Sequence, residues 1–154
     1  MDSGRAGGGA RIASRLALAS RIAALVPARA CTHNEGVLNG IEAVAVATGN
    51  DWRAVSAGAH AWAASTGAYQ PLATWTHADE TLHGALELPL ALGVVGGARR
   101  LHRAAALAAR PLTRRVLETQ ATAVGLACNL AALRALVDEG IQRGHMRLAK
   151  RGQS

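Results

Sequence analysis

Hydrophobic residues recur along this chain with two different periods. Over residues 11–26, Ile12, Leu16, Ala19, Ala23 and Val26 fall on one stripe, which predicts an amphipathic helix that Pro27 stops. Residues 27–40 read as a polar loop. The run I-E-A-V-A-V-A that follows, at 41–47, is apolar and β-branched at alternate positions, the pattern of a buried strand. Helical spacing returns over 53–65, where Val55, Ala59, Trp62 and Ala63 recur. Residues 72–76 and 82–90 read as two strands joined by a charged loop at Asp79 and Glu80. In the second, Leu82, Gly84, Leu86, Leu88 and Leu90 share a face, while His83, Ala85 and Glu87 point the other way. A glycine-rich run occupies 91–98, a short helix 100–109, and a long Ala/Leu helix 113–137, expected to be central and buried. Gly140 interrupts that helix, and 141–148 continue it. The pattern predicts an α+β fold of two or three strands packed by helices.

Composition changes this picture modestly. The 154 residues suit one domain, and residues 1–10, rich in glycine, are expected to be a disordered tail. Half the residues are hydrophobic, yet none is Phe and aromatics make up only 3%. Trp52, Trp62 and Trp75 are therefore expected to be the main large apolar groups of the core. An Ala- and Leu-rich core buries less area per residue, which favours a partner. The net charge of +7 comes almost wholly from arginine. Arg99, Arg100, Arg103, Arg110, Arg114 and Arg115 form its only local concentration, without interleaved aromatics or a nucleic-acid motif, so solvated helix faces account for it.

Two cysteines lie far apart, which fits a reduced, cytoplasmic setting. Cys31-Thr32-His33 could be half a metal site, but no second ligand pair has a suitable spacing, and no metal is expected. No run approaches the ~20 apolar residues of a membrane span. Arg11, Arg15 and Arg21 break up any signal-peptide core. His60 and His102 read as partly exposed helix residues, and His83 and Glu87 as a solvated strand face. Asp51, on the Gly-Asn turn before the second helix, has two readings. Its carboxylate can cap that helix, or it can face a cleft at the end of the preceding strand.

Four segments, T-H-N-E-G-V-L-N-G-I (32–41), A-T-G-N-D-W-R-A (47–54), L-E-L-P-L-A-L-G-V-V-G-G-A (86–98) and E-G-I-Q-R-G-H-M-R-L (139–148), together resemble hydroxymethylglutaryl-CoA reductase, the bacterial class II type most closely. The resemblance runs from about residue 27 to 148 and assigns 11–150 to part of the catalytic, substrate-binding domain. It implies NAD(P)H-dependent reduction of 3-hydroxy-3-methylglutaryl-CoA to mevalonate and CoA, or the reverse, by an oligomer whose active sites lie at subunit interfaces. By that resemblance Asp51 orients the family's catalytic lysine, and His145 protonates the departing CoA thiolate. Arg29 and Asn39 would hold the carboxylate and hydroxyl end of the substrate. Hydride addition builds charge on a carbonyl oxygen, which a fixed cation stabilises, and a thiolate leaving group wants an acid titrating near neutrality.

The departures are as specific as the matches. The family's lysine is here Glu35, which puts two carboxylates in one site and predicts that one keeps its proton. Arg99, Arg103 and Cys128 stand where the family has threonine, proline and glutamine. The resemblance also implies that an earlier half is missing, with a catalytic glutamate and the inserted dinucleotide-binding domain, and that the closing C-terminal segment is short. The expectation is a reductase-like chain impaired or inactive alone. Its alternative is a non-catalytic subunit that pairs with a full-length reductase.

Overall fold

The computed structural model describes residues 3–95, 103–108 and 112–138. Five helices and one hairpin are present in this part: α1 (Ser3–Leu25), α2 (Pro27–Ala47), α3 (Trp52–Ala63), β1 (Ala73–Ala78), β2 (Thr81–Leu86), α4 (Arg103–Ala108) and α5 (Arg114–Val137). The α+β expectation holds, with two strands.

The largest difference from the sequence pattern is α2. Residues 27–40, expected to be a loop, and 41–47, expected to be a strand, form one continuous helix. Pro27 does stop α1, yet it also starts α2, because proline at a first helical position loses only an N–H that has no helical partner anyway. The run 41–47 satisfies both periods: Ile41, Val44 and Ala45 also recur at helical spacing. Tertiary packing decides in favour of the helix. Ala30, Val37, Ile41 and Ala45 line one buried face, which overrides the β preference of Val44 and Val46. Residues 3–10, expected to be disordered, continue α1 toward its N-terminus.

α2 and α5 run antiparallel and approach very closely. A Cβ built on Gly40 would lie 2.8 Å from Cys128 Sγ and 2.9 Å from the Val124 carbonyl oxygen. A Cβ on Gly125 would lie 2.7 Å from Ile41. The buried row of α5 is Leu117, Ala121, Gly125, Asn129, Leu133 and Val137; the rest of the helix is more open, so it is buried along one face only. By length and composition α5 could cross a bilayer, but its buried row packs against α2 and, at Leu133 and Val137, against Leu16 and Trp75. Gly40→Ala should therefore lower stability by about 2 kcal/mol, overpacking outweighing the helix propensity gained. Gly58→Ala in α3, whose nearest neighbour would be Pro89 at 3.9 Å, should instead stabilise by about 0.5–1 kcal/mol. Urea midpoints that move in the same direction for both would contradict this packing.

The hairpin turns on Asp79 and Glu80, both at positive φ, as a two-residue turn between paired strands requires. Trp75 sits opposite Gly84, where a Cβ would come within 2.8 Å of three ring atoms, and it packs with Leu16, Leu133 and Val137 between α1 and α5. It is the only core tryptophan. Trp52 and Trp62 are 45% and 46% exposed, because α3 turns Val55, Ala59 and Ala63 inward instead. Strand pairing stops at Leu86, yet Leu86, Leu88 and Leu90 still pack on the core, so the expected shared leucine face persists beyond the strand. His83 and Glu87 are exposed, as expected.

Candidate functional site

Asp51 lies at the corner where α2 ends and α3 begins. Gly49, at φ 70°, makes the reversal, and the Asp51 carboxylate caps α3 by accepting from the Arg53 N–H at 3.0 Å. The Arg53 side chain donates to the same oxygen at 3.0 Å. This bond holds the Asp51 carboxyl below the usual carboxylate range. Asn50 links the corner to a second segment: its Oδ1 accepts from the Gly93 N–H at 2.7 Å, and its Nδ2 donates to Thr48 Oγ1 at 2.9 Å. Two sequence motifs, G-N-D and L-P-L-A-L-G, thereby meet in space. Val46, Gly49, Asn50, Asp51, Trp52 and Arg53 line an open hollow of about 570 Å³. The capping reading of Asp51 holds; the element before it is the helix α2 rather than a strand, and the carboxylate remains half exposed.

Glu35 and Asn39 are exposed on α2, one turn apart, so they share a face. The same face continues through Glu42, which accepts from Ser56 Oγ at 2.5 Å, to Val46 at the hollow. Glu35 does not reach Asp51 within this chain. The helical rise separates it from the end of α2 at Ala47 by about 18 Å. The expected pair of repelling carboxylates is therefore not formed, and the Asp51 carboxyl is lowered rather than raised. Arg29 is half-buried near the start of α2 and donates to Thr32 Oγ1. About 15 Å of helix axis separates it from Asn39, a gap that a ligand would have to bridge. His145 and residues 96–98 lie outside the described residues, as does His102.

Sequence reasoning missed a buried polar network beneath this face. His33 Nε2 bonds the Ala73 carbonyl at 2.9 Å. Asn34 donates to the Gln70 carbonyl at 3.0 Å and accepts from the Leu72 N–H at 2.8 Å. Asn129 accepts from Trp75 Nε1 at 2.7 Å and donates to the His33 carbonyl at 2.9 Å. His33 and Asn34, with Asn129, thus lock α2 to the hairpin and to α5. The signal was available: with Ala30, Val37 and Ile41, His33 and Asn34 fall on one helical stripe. Read as a loop, 27–40 concealed it. Cys31 and His33 point to opposite sides of α2, one exposed and one buried, so they cannot converge on a metal. Among the described residues no three His, Cys, Asp or Glu side chains cluster as metal ligands.

His33 carries a pH dependence. Burial, above all, pushes its pKa below 6.5, partly offset by the bond to Ala73. The donating Nε2 leaves Nδ1 buried with no partner among the described residues, so a second proton there would find no acceptor. Below 6.5 the unfolded chain takes up a proton that the folded one refuses, and stability falls as pH falls through that window. Asp51, depressed from 3.8, contributes only to losses at lower pH. The urea midpoint should drop between about pH 7.5 and 5.5, and His33→Gln, which keeps a donor without titrating, should flatten that drop. An equal drop in both would assign the effect to other groups.

Comparison with known proteins adds an independent line. The family model for hydroxymethylglutaryl-coenzyme A reductase matches residues 4–150. The chain is 47% identical over 148 residues to 3-hydroxy-3-methylglutaryl-coenzyme A reductase of Archaeoglobus fulgidus, across 94% of this chain and 34% of that protein. Against a probable reductase of Borreliella burgdorferi it is 40% identical, across 89% of this chain and 32% of the other. Among solved structures, a class II reductase of Streptococcus pneumoniae bound to NADPH superposes with a TM-score of 0.82 at 47% identity, across 92% of this chain and 36% of that one. The chain spans about a third of the length of the relatives it matches.

Proposed function

The chain belongs to the hydroxymethylglutaryl-coenzyme A reductase family, and from that premise we propose that it supplies the substrate-side elements of such a reductase without completing the reaction alone. The observation that carries this reading is Glu35, an anion on the open face of α2 at the position where the family's T-H-N-K-G motif has its lysine. Hydride delivery to a thioester carbonyl needs positive charge at the developing oxyanion, and removing one such donor costs roughly 10²–10³ in rate. Arg29 and Asn39 are the groups this chain offers to the carboxylate and hydroxyl of a 3-hydroxy-3-methylglutaryl ligand. Asp51, held ionised by Arg53, is available to orient a cation brought to its hollow. His145 is the candidate acid for the CoA thiolate.

A nicotinamide cofactor, NAD or NADP, would supply the hydride. The described residues contain no strand that passes through a glycine turn into a helix N-terminus, the usual cradle for a pyrophosphate. By the resemblance, the dinucleotide-binding domain belongs to a part of the family fold that this chain does not span. The same Glu35 favours a second reading, a non-catalytic subunit that assembles with a complete reductase.

The test is a titration of the chain with 3-hydroxy-3-methylglutaryl-CoA, with and without reduced nicotinamide, alone and with the remainder of the fold added as a separate polypeptide. Acyl-CoA binding without turnover by the chain alone is the expected result. Mevalonate formed by the isolated chain would overturn it.

A further inference from the structure

Charge is unevenly placed along this chain. Residues 3–34 hold five arginines and neither Asp nor Glu, so all of α1 and the first turns of α2 carry positive charge only. On α1, Leu16, Ala19, Ser20 and Ala23 are buried. A second stripe of the same helix faces water. Its first members, Arg11 and Arg15, are exposed, and Leu18, Ile22 and Leu25 continue it at helical spacing, 53%, 41% and 78% exposed. Arg21, also exposed, flanks it. The stripe ends at the corner between α1 and α2, where Ala24, Leu25, Val26, Pro27 and Ala28 are all exposed. This corner is apolar at a place where a helix start favours a polar residue. Val26 stands at the N-cap of α2 and makes no side-chain cap, a position that Ser, Thr, Asn or Asp would fill with a gain in stability. Its main chain is nevertheless fitted to leave water. The Val26 N–H donates to the Ile22 carbonyl at 3.0 Å, Pro27 has no N–H, and those of Arg29 and Ala30 donate to the Val26 carbonyl at 2.8 and 3.0 Å.

We propose that this corner docks on the surface of an anionic lipid bilayer, with Leu25 and Val26 among the acyl chains just below the headgroups and Arg15 and Arg21 on lipid phosphates. Charge, chemistry and geometry select this occupant. An acid-free helix with arginine as its only charge complements a surface that is negative throughout, and guanidinium pairs bidentately with phosphate. The exposed residues of the corner are aliphatic and bring no aromatic or hydrogen-bonding side chain, the groups that anchor protein interfaces, whereas hydrocarbon asks only for apolar area. Arg21 lies about 6 Å and Arg15 about 15 Å back along the helix axis from Leu25, so a tip sunk by about 5–10 Å with α1 steeply inclined brings Arg21 to the headgroups. A second copy of this chain fits less well, because two such faces would set arginine against arginine. The corner rests on the bilayer and does not cross it. None of its residues belongs to the Asp51 hollow or to the face that carries Glu35 and Asn39, so the proposal stands apart from the functional reading above.

The experiment sediments the whole chain with vesicles of phosphatidylcholine alone and of phosphatidylcholine with about 30% phosphatidylglycerol. Binding should be at least about tenfold tighter to the anionic vesicles. Leu25→Gln removes apolar area without altering charge and should weaken that binding about fivefold, as should Arg21→Ala, which does the reverse. Leu25→Met should stay within about twofold. Because both positions are exposed, the thermal midpoint of each variant should stay within about 2 °C of the parent. No retention by the anionic vesicles would overturn the proposal. So would retention indifferent to Leu25→Gln and abolished by salt, which would reduce it to attraction between a chain of charge +7 and charged lipid. A dimer that forms as concentration rises and is lost in Leu25→Gln would overturn it by assigning the corner to a second copy. Loss of vesicle binding when the rest of a reductase fold is added would overturn it in favour of a protein contact.

Discussion

Asn129→Ala is expected to lower the thermal midpoint by about 10 °C. Asn129 is 1% exposed and serves two buried groups at once, the Trp75 Nε1–H and the His33 carbonyl. Truncation strands both. A buried polar group left without a partner costs about 1–3 kcal/mol, so two cost about 3–4 kcal/mol together. For a chain of this size each kcal/mol moves the midpoint by about 2–4 °C. Asn129→Leu fills the volume but satisfies neither group, and should do no better. Asn129→Asp keeps the acceptor for Trp75, loses the donor and buries a carboxylate, so its loss should deepen as pH rises above the acid's titration. Thermal unfolding followed by circular dichroism decides the point, with tryptophan fluorescence reporting on Trp75. A fall of under about 3 °C for the alanine variant would show that these bonds contribute little.

That network also marks the boundary of what could be read from the sequence. α1 over 11–25, α3, α5 and the hairpin follow from periodicity because each presents an apolar face at a single period. α2 does not, since it is buried on more than one side. Its face toward α5 needs glycines for close approach, and its face toward the hairpin needs polar side chains, so the stripe that normally announces a helix is filled with Gly, His and Asn. Local patterning then reads the first half as loop and the β-branched second half as strand. The resemblance identified the candidate residues without this helix, because motif recognition depends on residue identity rather than conformation. What it could not supply was their separation. Once α2 is continuous, Arg29, Glu35 and Asn39 lie spread along a rod, and Asp51 lies beyond its end. The two tryptophans expected inside, Trp52 and Trp62, are partly exposed together with Val46, which is apolar surface that further parts of the fold can cover.

Glu35→Lys should raise turnover by at least 10² in an assembly completed with the rest of the fold, and should change nothing in the chain alone. Residue 35 is exposed on a regular stretch of α2, so the exchange should leave stability within about 0.5 kcal/mol and isolate the effect on chemistry. The wild-type anion opposes charge building on the thioester oxygen; glutamine removes the opposition; lysine adds attraction. Initial rates of nicotinamide consumption should therefore rise in the order Glu, Gln, Lys, with the larger step at lysine. Asp51→Asn should then reduce the rate of the lysine variant more than that of the glutamine variant, because an aspartate that orients a cation matters only when a cation is there. The long helical interval between 35 and 51 adds a condition. If a lysine at 35 works with an Asp51, the aspartate is more readily supplied across an interface than within one chain, about 18 Å of α2 lying between Glu35 and Ala47. Mixing chains that carry only Glu35→Lys with chains that carry only Asp51→Asn separates the two geometries: pairing across an interface makes the rate per lysine chain fall as Asp51→Asn chains are added, whereas pairing within a chain leaves the lysine chains unaffected by their partners. Equal rates for Gln and Lys in the completed assembly would remove the electrostatic basis for reading residue 35 as a catalytic position.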